Sequence, residues 1–195
     1  MQLNKIVNYI KKNRVSTTEV ADALMKTGVL KKLRPISYSN SFHKVGKIKC
    51  IFAYNNSNYL VHDGIKNVNE GDIVIIFSDN IGDKAIIGDL ISKYVLLYKQ
   101  ATAIVLMGNV RDLPKLRKEK YPIWCYGFNP IGCKNNFTGN FPKKKKAQII
   151  KKFENGIAIC DDTGVVVIEQ KKVNSKTFEN IKKLEKQEDD WYYYL

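Results

Sequence analysis

Residues 103–114, AIVLMGNVRDLP, decide the fold class because they join a buried strand to the start of a helix. The first half, AIVLM at 103–107, is an unbroken apolar run of the length that buried strands have. The second half places Arg111 and Asp112 just before Pro114, and proline suits a first helical turn. The stretch therefore predicts a strand that ends in a polar turn, followed by a helix.

The segments on either side continue this alternation. Residues 71–79, GDIVIIFSD, and 121–128, YPIWCYGF, have the pattern of further buried strands. Residues 90–100, LISKYVLLYKQ, carry apolar side chains at helical spacing. Strands that alternate with helices favour an α/β or layered α+β domain, with residues 113–120 as a short helix between two strands.

Further helices are predicted at both ends of the chain. The first dozen residues have the spacing of an amphipathic helix. Residues 15–29 predict a second helix, which a capping box at Ser16 and Glu19 would begin and Gly28 would close. Residues 176–195 begin as a charged helix with an aromatic end.

The remaining segments complete a single domain. Residues 44–54 and 156–170 have strand patterns, and the four lysines at 143–146 predict a solvated loop. The predicted organisation has three parts: an N-terminal helix at 1–14, a domain at 15–170, and a C-terminal helix and tail at 171–195.

Length and charge limit the function classes. With 195 residues, 44% of them hydrophobic, the chain can bury one sizeable core. Its net charge of +14 suggests either a nucleic-acid or acidic-partner surface or a compositional drift toward lysine. Only four of the 33 basic residues are arginines, the residue that reads bases best, so nucleic-acid binding is the less favoured interpretation.

The cysteines, the histidines and the apolar runs argue against a membrane protein, an enzyme with a histidine base and a zinc protein. No apolar run approaches the length of a membrane span, so we expect no membrane association. His43 and His62 are isolated, which leaves few candidates for a histidine base. The four cysteines are Cys50, Cys125, Cys133 and Cys160. They form no C-x-x-C pair, so a zinc site has little support. Scattered thiols predict that the protein resides in a reducing cytoplasm.

Two strand-to-helix turns carry the candidate chemistry, and the first lies before the helix at 90–100. Gly88 permits backbone shapes that other residues resist. A helix start near Leu90 would leave the amides of Leu90 and Ile91 free to bind a carboxylate or phosphate. Asp89 is either an N-cap, which the local pattern favours, or a functional carboxylate.

The second turn contains Arg111 and Asp112. Taken alone, Asp112 has the pattern of an N-cap, and Arg111 that of a surface ion pair. Taken together, the two turns deliver two carboxylates and an arginine to the sheet edge where α/β proteins bind ligands. Arginine clamps carboxylates and aspartate holds hard cations, so the set suits a small anionic oxo-acid on Mg²⁺.

Five stretches resemble a known family in their order along the chain: STTEVADAL at 16–24, GDKAIIGDL at 82–90, AIVLMGNVRD at 103–112, YPIWCYGFNP at 121–130 and CDDTGVVVI at 160–168. They are similar to the RraA-like family, which comprises the regulator of ribonuclease E activity A and the 4-hydroxy-4-methyl-2-oxoglutarate aldolases. The most specific part is G-D-L together with G-x-V-R-D.

The resemblance implies a layered β/β/α domain of the swivelling type, assembled as a homotrimer or hexamer. It implies a metal-dependent lyase of the class II pyruvate aldolase type. Such an enzyme cleaves 4-hydroxy-2-oxo-acids and decarboxylates oxaloacetate with Mg²⁺ or Mn²⁺. The alternative is a non-catalytic regulator that binds a ribonuclease or another RNA-processing partner. A third hypothesis is a lyase for a different, sugar-derived oxo-acid.

The resemblance also implies roles for individual residues. Arg111 would bind pyruvate and stabilise its enolate, Asp112 would hold the metal partly through waters, and Asp89 would position a water for proton transfer. The substrate carboxylate would bind at the first turn of the helix, at Gly88, Leu90 and Ile91.

The chain departs from the family pattern at three places. Asp89 and Arg111 are separated by 111 − 89 − 1 = 21 residues, one more than is usual, and the extra residue lies either in the loop at 99–102 or in the helix. Tyr126 stands where many members have arginine. An acidic residue from a neighbouring subunit assists some aldolases, and the candidates for it here are Glu185, Glu188 and Asp189.

Overall fold

The computed structural model describes residues 2–38 and 41–194, without the side chains of residues 188, 189 and 192. Its helices are α1 (Gln2–Asn13), α2 (Thr17–Ala23), α3 (Tyr59–Gly64), α4 (Asp89–Lys93), α5 (Leu113–Lys118), α6 (Lys143–Phe153) and α7 (Ser175–Tyr193). Its strands are β1 (Arg34–Pro35), β2 (Lys44–Tyr54), β3 (Asp72–Asp79), β4 (Ala85–Ile87), β5 (Ala103–Val110), β6 (Ile123–Phe128), β7 (Ile157–Cys160) and β8 (Val165–Ile168).

All eight strands form one sheet in the order β1-β6-β5-β3-β2-β7-β8, with β4 paired to β5. The strands β2, β3, β5 and β6 run parallel, while β1, β7 and β8 pair antiparallel with their neighbours. The fold class predicted from the sequence is confirmed: a mixed α/β domain with helices before and after it.

The sheet is nearly closed. The segment between α2 and β2 joins its two ends. The N–H of Leu30 donates to Val165 O at 2.9 Å on β8, and the N–H of Ile36 donates to Ile123 O at 3.0 Å on β6. The indole N–H of Trp124 also donates across the gap to Asp161 O at 2.8 Å. These bonds satisfy strand edges that would otherwise stay open.

Strand alternation divides the buried side chains among three clusters. One cluster runs along a single face from β6 to β8 and contains the fully buried Trp124. On the other face, α3, α4 and α5 cover the strands around β5. The helices α1, α2 and α7 cover β7 and β8, where the ring of Tyr9 lies 5.2 Å from that of Phe178. The three-part division of the chain stays a prediction.

Two predictions about local structure are wrong. The capping box at Ser16 is present, but α2 ends at Ala23, well before Gly28. Gly28 has φ +86° and accepts a hydrogen bond from Val167 N at 2.9 Å, so it brings the chain close to β8 instead of closing a helix. The lysines at 143–146 form the first turn of α6 and not a loop.

No helix in the described residues is long and apolar enough to cross a membrane. The predicted C-terminal helix is α7, which continues into the aromatic end as far as Tyr193.

Candidate functional site

The two turns that the sequence singled out lie side by side. The short strand β4 pairs in parallel with the end of β5, and the N–H of Arg111 donates to Ile87 O at 3.0 Å. Because parallel strands end at the same edge of a sheet, Gly88–Asp89 and Arg111–Asp112 are brought together. The strand β4 was not predicted, since its three residues lie within what looked like one long turn.

Asp112 points away from its own helix. It occupies the N-cap position of α5 with φ +59°, a left-handed conformation that aspartate tolerates, and its side chain makes no capping bond. Instead, Oδ2 accepts a hydrogen bond from the N–H of Asp89 at 3.1 Å and lies 3.9 Å from Nε of Arg111. The interpretation of Asp112 as a simple N-cap is therefore wrong.

Two glycines flank the Arg111 side chain. A Cβ at Gly88 would clash with Asp112 Oδ2 and with Cγ of Arg111, and a Cβ at Gly132 would lie 2.8 Å from Nη1. The backbone of Gly88 is extended, so close approach and not conformation requires glycine there. The Arg111 side chain is 52% exposed and remains open to a ligand.

Asp89 is a buried carboxylate at the first position of α4. Its side chain is 10% exposed, with Oδ2 3.5 Å from Nζ of Lys93. Its Oδ1 is buried and has no hydrogen-bond partner among the described residues. The N-cap interpretation of Asp89 is wrong too, since Gly88 is the N-cap and receives the Ser92 hydroxyl on its carbonyl at 2.8 Å. A buried acceptor without a partner is costly, which is typical of functional sites.

The start of α4 provides amide donors. Leu90 and Ile91 lie in its first turn, where backbone N–H groups have no acceptor one turn earlier. Such amides favour anions. Leu90 and Ile91 line a cavity of about 200 Å³. The other predicted site residues line the same cavity: Gly88, Asp89, Arg111 and Asp112.

Of the further residues that line this cavity, four have polar side chains and were missed from the sequence: Asn58, His62, Cys133 and Asn135. Asn58 and His62 lie at α3, a six-residue helix too short to leave a periodic signal. The side-chain amide of Asn58 donates to Ile86 O at 3.0 Å, while its Oδ1 is buried without a partner in the described residues. Burial raises the pKa of the Cys133 thiol, so this cysteine is not an activated nucleophile.

The helix between Asp89 and Arg111 contains a π-helical turn. Residues Tyr94–Tyr98 form a π-helical turn, in which the N–H of Lys99 donates to Tyr94 O at 2.9 Å. A π turn takes up one residue more than an α turn. Because the bulge follows Asp89 by a full turn, it leaves the carboxylate at the start of α4 in place.

Other residues named from the sequence lie elsewhere. Tyr126 on β6 is half-exposed and does not line the cavity. Glu185 accepts hydrogen bonds from Tyr9 and Asn13 of α1 in the same chain. The side chains of Glu188 and Asp189 lie outside the described part of the structure.

The cavity offers few side chains that could hold a metal ion. No group of three or more His, Cys, Asp or Glu side chains suited to a metal occurs in the described residues. Mg²⁺ usually binds proteins through one or two carboxylates and retains several waters. Asp112, with its side chain 39% exposed, could hold an ion in that mode.

The RraA-like family model, described as Aldolase/RraA, matches residues 17–167. The chain belongs to the RraA-like family. This family contains both ribonuclease E inhibitors and aldolases, so membership leaves two functional classes open. No curated protein matches the chain.

Solved structures show the same fold. RraAS2 from Streptomyces coelicolor, described as an unusual member of the RNase ES inhibitor RraA protein family, is 19% identical with a TM-score of 0.73, covering 95% of both chains. An uncharacterized protein from Pseudomonas syringae pv. tomato is 18% identical with a TM-score of 0.72, covering 95% of this chain and 89% of its own. The RNA-processing inhibitor RraA from Thermus thermophilus is 16% identical with a TM-score of 0.60, covering 78% and 91%.

Proposed function

We propose that this RraA-like protein is a metal-dependent lyase that releases pyruvate from a 4-hydroxy-2-oxo-acid such as 4-hydroxy-4-methyl-2-oxoglutarate. Decarboxylation of oxaloacetate would use the same site. The observation that carries the proposal is the orientation of Asp112, which turns from α5 to the N–H of Asp89. That turn places two carboxylates, a guanidinium and the first amides of α4 around one cavity.

Arg111 and the first turn of α4 would bind different groups of the oxo-acid. The amides of Leu90 and Ile91 would bind the substrate carboxylate at the positive end of the helix. Arg111, whose planar fork matches two oxygens at once, would bind the 2-oxo group and the enolate that forms from it. Gly88 permits this because it leaves room for the arginine stem.

The cleavage moves one proton and one electron pair. The C3–C4 bond breaks, the proton of the 4-hydroxyl passes to a water held by Asp89, and C4 becomes a carbonyl carbon. The electron pair of the broken bond enters the pyruvate enolate, which then takes a proton at C3. Asp112 would hold Mg²⁺ or Mn²⁺, which when bound supplies positive charge to stabilise the enolate oxygen.

Pyruvate release tests the proposal directly. Lactate dehydrogenase would report pyruvate formed from 4-hydroxy-4-methyl-2-oxoglutarate or oxaloacetate in the presence of Mg²⁺. We expect EDTA and Arg111→Ala to abolish the signal. Arg14→Ala, a matched control at the end of α1 and outside the cavity, should keep it. Release that ignores both EDTA and Arg111→Ala would refute the proposal.

We also propose that the chain assembles as a homotrimer or hexamer in the cytoplasm. Four large apolar side chains of the helix after Gly88 are exposed beside the cavity: Leu90, Tyr94, Leu97 and Tyr98. Monomers seldom expose such contiguous patches. Light scattering after gel filtration would measure the assembly, and the monomer mass would count against it.

The second candidate function is an RraA-type regulator that binds a ribonuclease. The net charge of +14 favours this reading, and two of the similar structures are described as ribonuclease or RNA-processing inhibitors. A pull-down with a ribonuclease E-type enzyme at rising salt would test it. Binding that persists in Arg111→Ala would show that the regulator does not use the cavity.

A further inference from the structure

We infer that the exposed face of α6 binds the phosphodiester backbone of RNA or DNA without reading its sequence. The residues that line the cavity at Gly88 include none from α6, so this surface is separate from the proposed lyase site. The number, exposure and ion pairing of the lysines in α6 support the assignment.

Lysine is concentrated in α6, and acidic residues are absent from it. The 33 basic residues of the chain include four arginines, which leaves 29 lysines among 195 residues. In α6, by contrast, six of the 11 residues are lysines and none is aspartate or glutamate. A drift of the whole composition toward lysine would not concentrate it in one helix. The six are all exposed: Lys143, Lys144, Lys145, Lys146, Lys151 and Lys152.

Ion pairs neutralise only part of this charge. Lys145 pairs with Asp79 at 2.9 Å, and Lys152 pairs with Glu169 at 3.4 Å. Glu169 is shared, because the ammonium group of Lys171 also lies 3.7 Å from it. These seven lysines and two carboxylates leave a surplus of 7 − 2 = +5. Within the described part of the structure, four lysines of α6 form no ion pair: Lys143, Lys144, Lys146 and Lys151.

Two further carboxylates beside α6 have lysine partners of their own. Glu154, the C-cap residue of α6, pairs with Lys49 at 2.9 Å. Asp63 lines a groove that Lys146 also lines, and it pairs with Lys66 at 3.1 Å. Each of these two pairs is neutral, so neither reduces the positive surplus of α6.

The lysines also stand where a helix disfavours them. Residues 143–146 form the first turn of α6, and the positive end of the helix dipole favours carboxylates there. The turn has no acidic residue, and Pro142 at the N-cap makes no side-chain hydrogen bond. Residues that break such a local rule are expected at functional sites. The dipole and the ammonium groups together make this end of α6 attractive to anions.

The unpaired lysines extend along the helix and do not form a single point of charge. Lys144 and Lys151 are two turns apart, so they lie on the same side of α6 and about 10 Å apart along its axis. Gln148, which lies between them, is exposed as well. A small anion would contact one end of this row. A phosphate backbone is charged at every nucleotide and can contact both ends.

The composition of the face fits a nucleic acid better than an acidic protein. Lysine binds phosphate as a point charge, without a fixed geometry. Protein interfaces are depleted in lysine and have an apolar core. The face of α6 offers little for such a core, because Phe153 is buried and Ile150 is 38% exposed. The scarcity of arginine argues against the recognition of bases, but contacts to phosphate do not require it.

Fluorescence anisotropy with the full chain and a labelled single strand of about 20 nucleotides tests the inference. The test variant combines Lys143→Gln, Lys144→Gln and Lys151→Gln, and glutamine preserves the helix. We expect its affinity at low salt to fall by at least about tenfold. The slope of log K against log salt concentration should become shallower by about 2, or roughly 0.7 for each lysine. An absence of binding by the wild-type chain would overturn the inference.

Two control variants separate the α6 face from overall charge and from damage to the helix. Lys5→Gln, Lys11→Gln and Lys12→Gln together change three exposed lysines of α1, and both triple variants have a net charge of 14 − 3 = +11. Equal weakening by the two variants would refute a specific role for α6. Arginine at positions 143, 144 and 151 should preserve the affinity, and a loss in that variant would contradict a contact based on charge.

The choice of probe tests the chemistry of the partner. Lysine contacts phosphate in RNA and in DNA, so strands of the same sequence should have Kd values within about threefold of each other. A preference of more than about tenfold for either strand would contradict binding through the backbone alone. Tighter binding of polyglutamate of the same length would show that the partner is an acidic protein and would overturn the inference.

Discussion

Replacing Gly88 by alanine would test the geometry on which the proposed lyase depends. The added Cβ would clash with Asp112 Oδ2 and with Cγ of Arg111. The backbone angles of Gly88, φ −143° and ψ −157°, are open to alanine, so the backbone itself needs no change. The substitution therefore displaces two side chains of the site and leaves the fold intact.

The expected losses differ for stability and for rate. Breaking the bond from Asp89 N–H to the Asp112 carboxylate would cost at most about 1.5–3 kcal/mol. Partial exposure of Asp112 lowers that cost to about 1 kcal/mol. Misplacing reacting groups by about 1 Å lowers rates on the order of 100-fold. We expect kcat/KM for pyruvate release to fall by about this factor.

Gly82→Ala should have the opposite effect, with lower stability and unchanged activity. Gly82 has φ +67°, and a Cβ there would meet no atom within 4 Å. Alanine would cost about 1–2 kcal/mol of backbone strain. That cost would lower Tm by roughly 2–8 °C in a domain of this size and leave activity unchanged. Coupled pyruvate assays and thermal unfolding by circular dichroism would measure both variants.

One result would refute this reasoning. Gly88→Ala could retain wild-type kcat/KM while Gly82→Ala lost activity. In that case Arg111 and Asp112, the side chains next to Gly88, would not be the reacting groups. The proposed roles of Arg111 and Asp112 would then be wrong.

Further predictions concern the other cavity residues. Arg111→Lys should lower kcat/KM by about 100-fold, since lysine lacks the bidentate fork, and the coupled assay would show it. Asp89→Asn should abolish pyruvate release in the coupled assay, because an amide cannot take up a proton as the carboxylate can, and it also removes the ion pair of Asp89 with Lys93. Asp112→Asn should raise the Mg²⁺ concentration needed for half-maximal activity in a titration. The raised pKa of Cys133 predicts slow alkylation at neutral pH, accelerating only above the ordinary thiol pKa, as mass spectrometry would follow.

The sheet was predictable because its strands are strongly apolar. Residues 71–79 and 103–107 contain apolar runs whose length is more typical of strands than of helices, and they coincide with β3 and β5 in the structure. The sequence did not predict the helix α6, because its many lysines leave few apolar residues at helical spacing. The ammonium groups of Lys145 and Lys146 lie over the rings of Phe141 and Phe52, so these lysines interact with aromatic side chains where the sequence pattern suggests only solvent.

The site was predictable only to the level of strand ends. That Asp89 and Arg111 would meet follows from two strands ending at one sheet edge. That Asp112 would leave its own helix does not, since the left-handed turn is fixed by a bond to a residue 23 positions away. Asn58 was missed for a similar reason, because its role depends on a contact with Ile86 across the fold.

The π turn of residues 94–98 lies away from the Asp89 carboxylate. Asp89 follows Gly88, whose carbonyl oxygen accepts a hydrogen bond from the Ser92 hydroxyl. This bond holds the start of α4, and with it Asp89, in place. The π turn lies at the C-terminal side, where the helix passes into the loop before β5. Its effect therefore falls on exposed side chains such as Leu97 and Tyr98, and not on the carboxylate. In this chain the pairing of β4 with β5 determines where the two turns of the site meet.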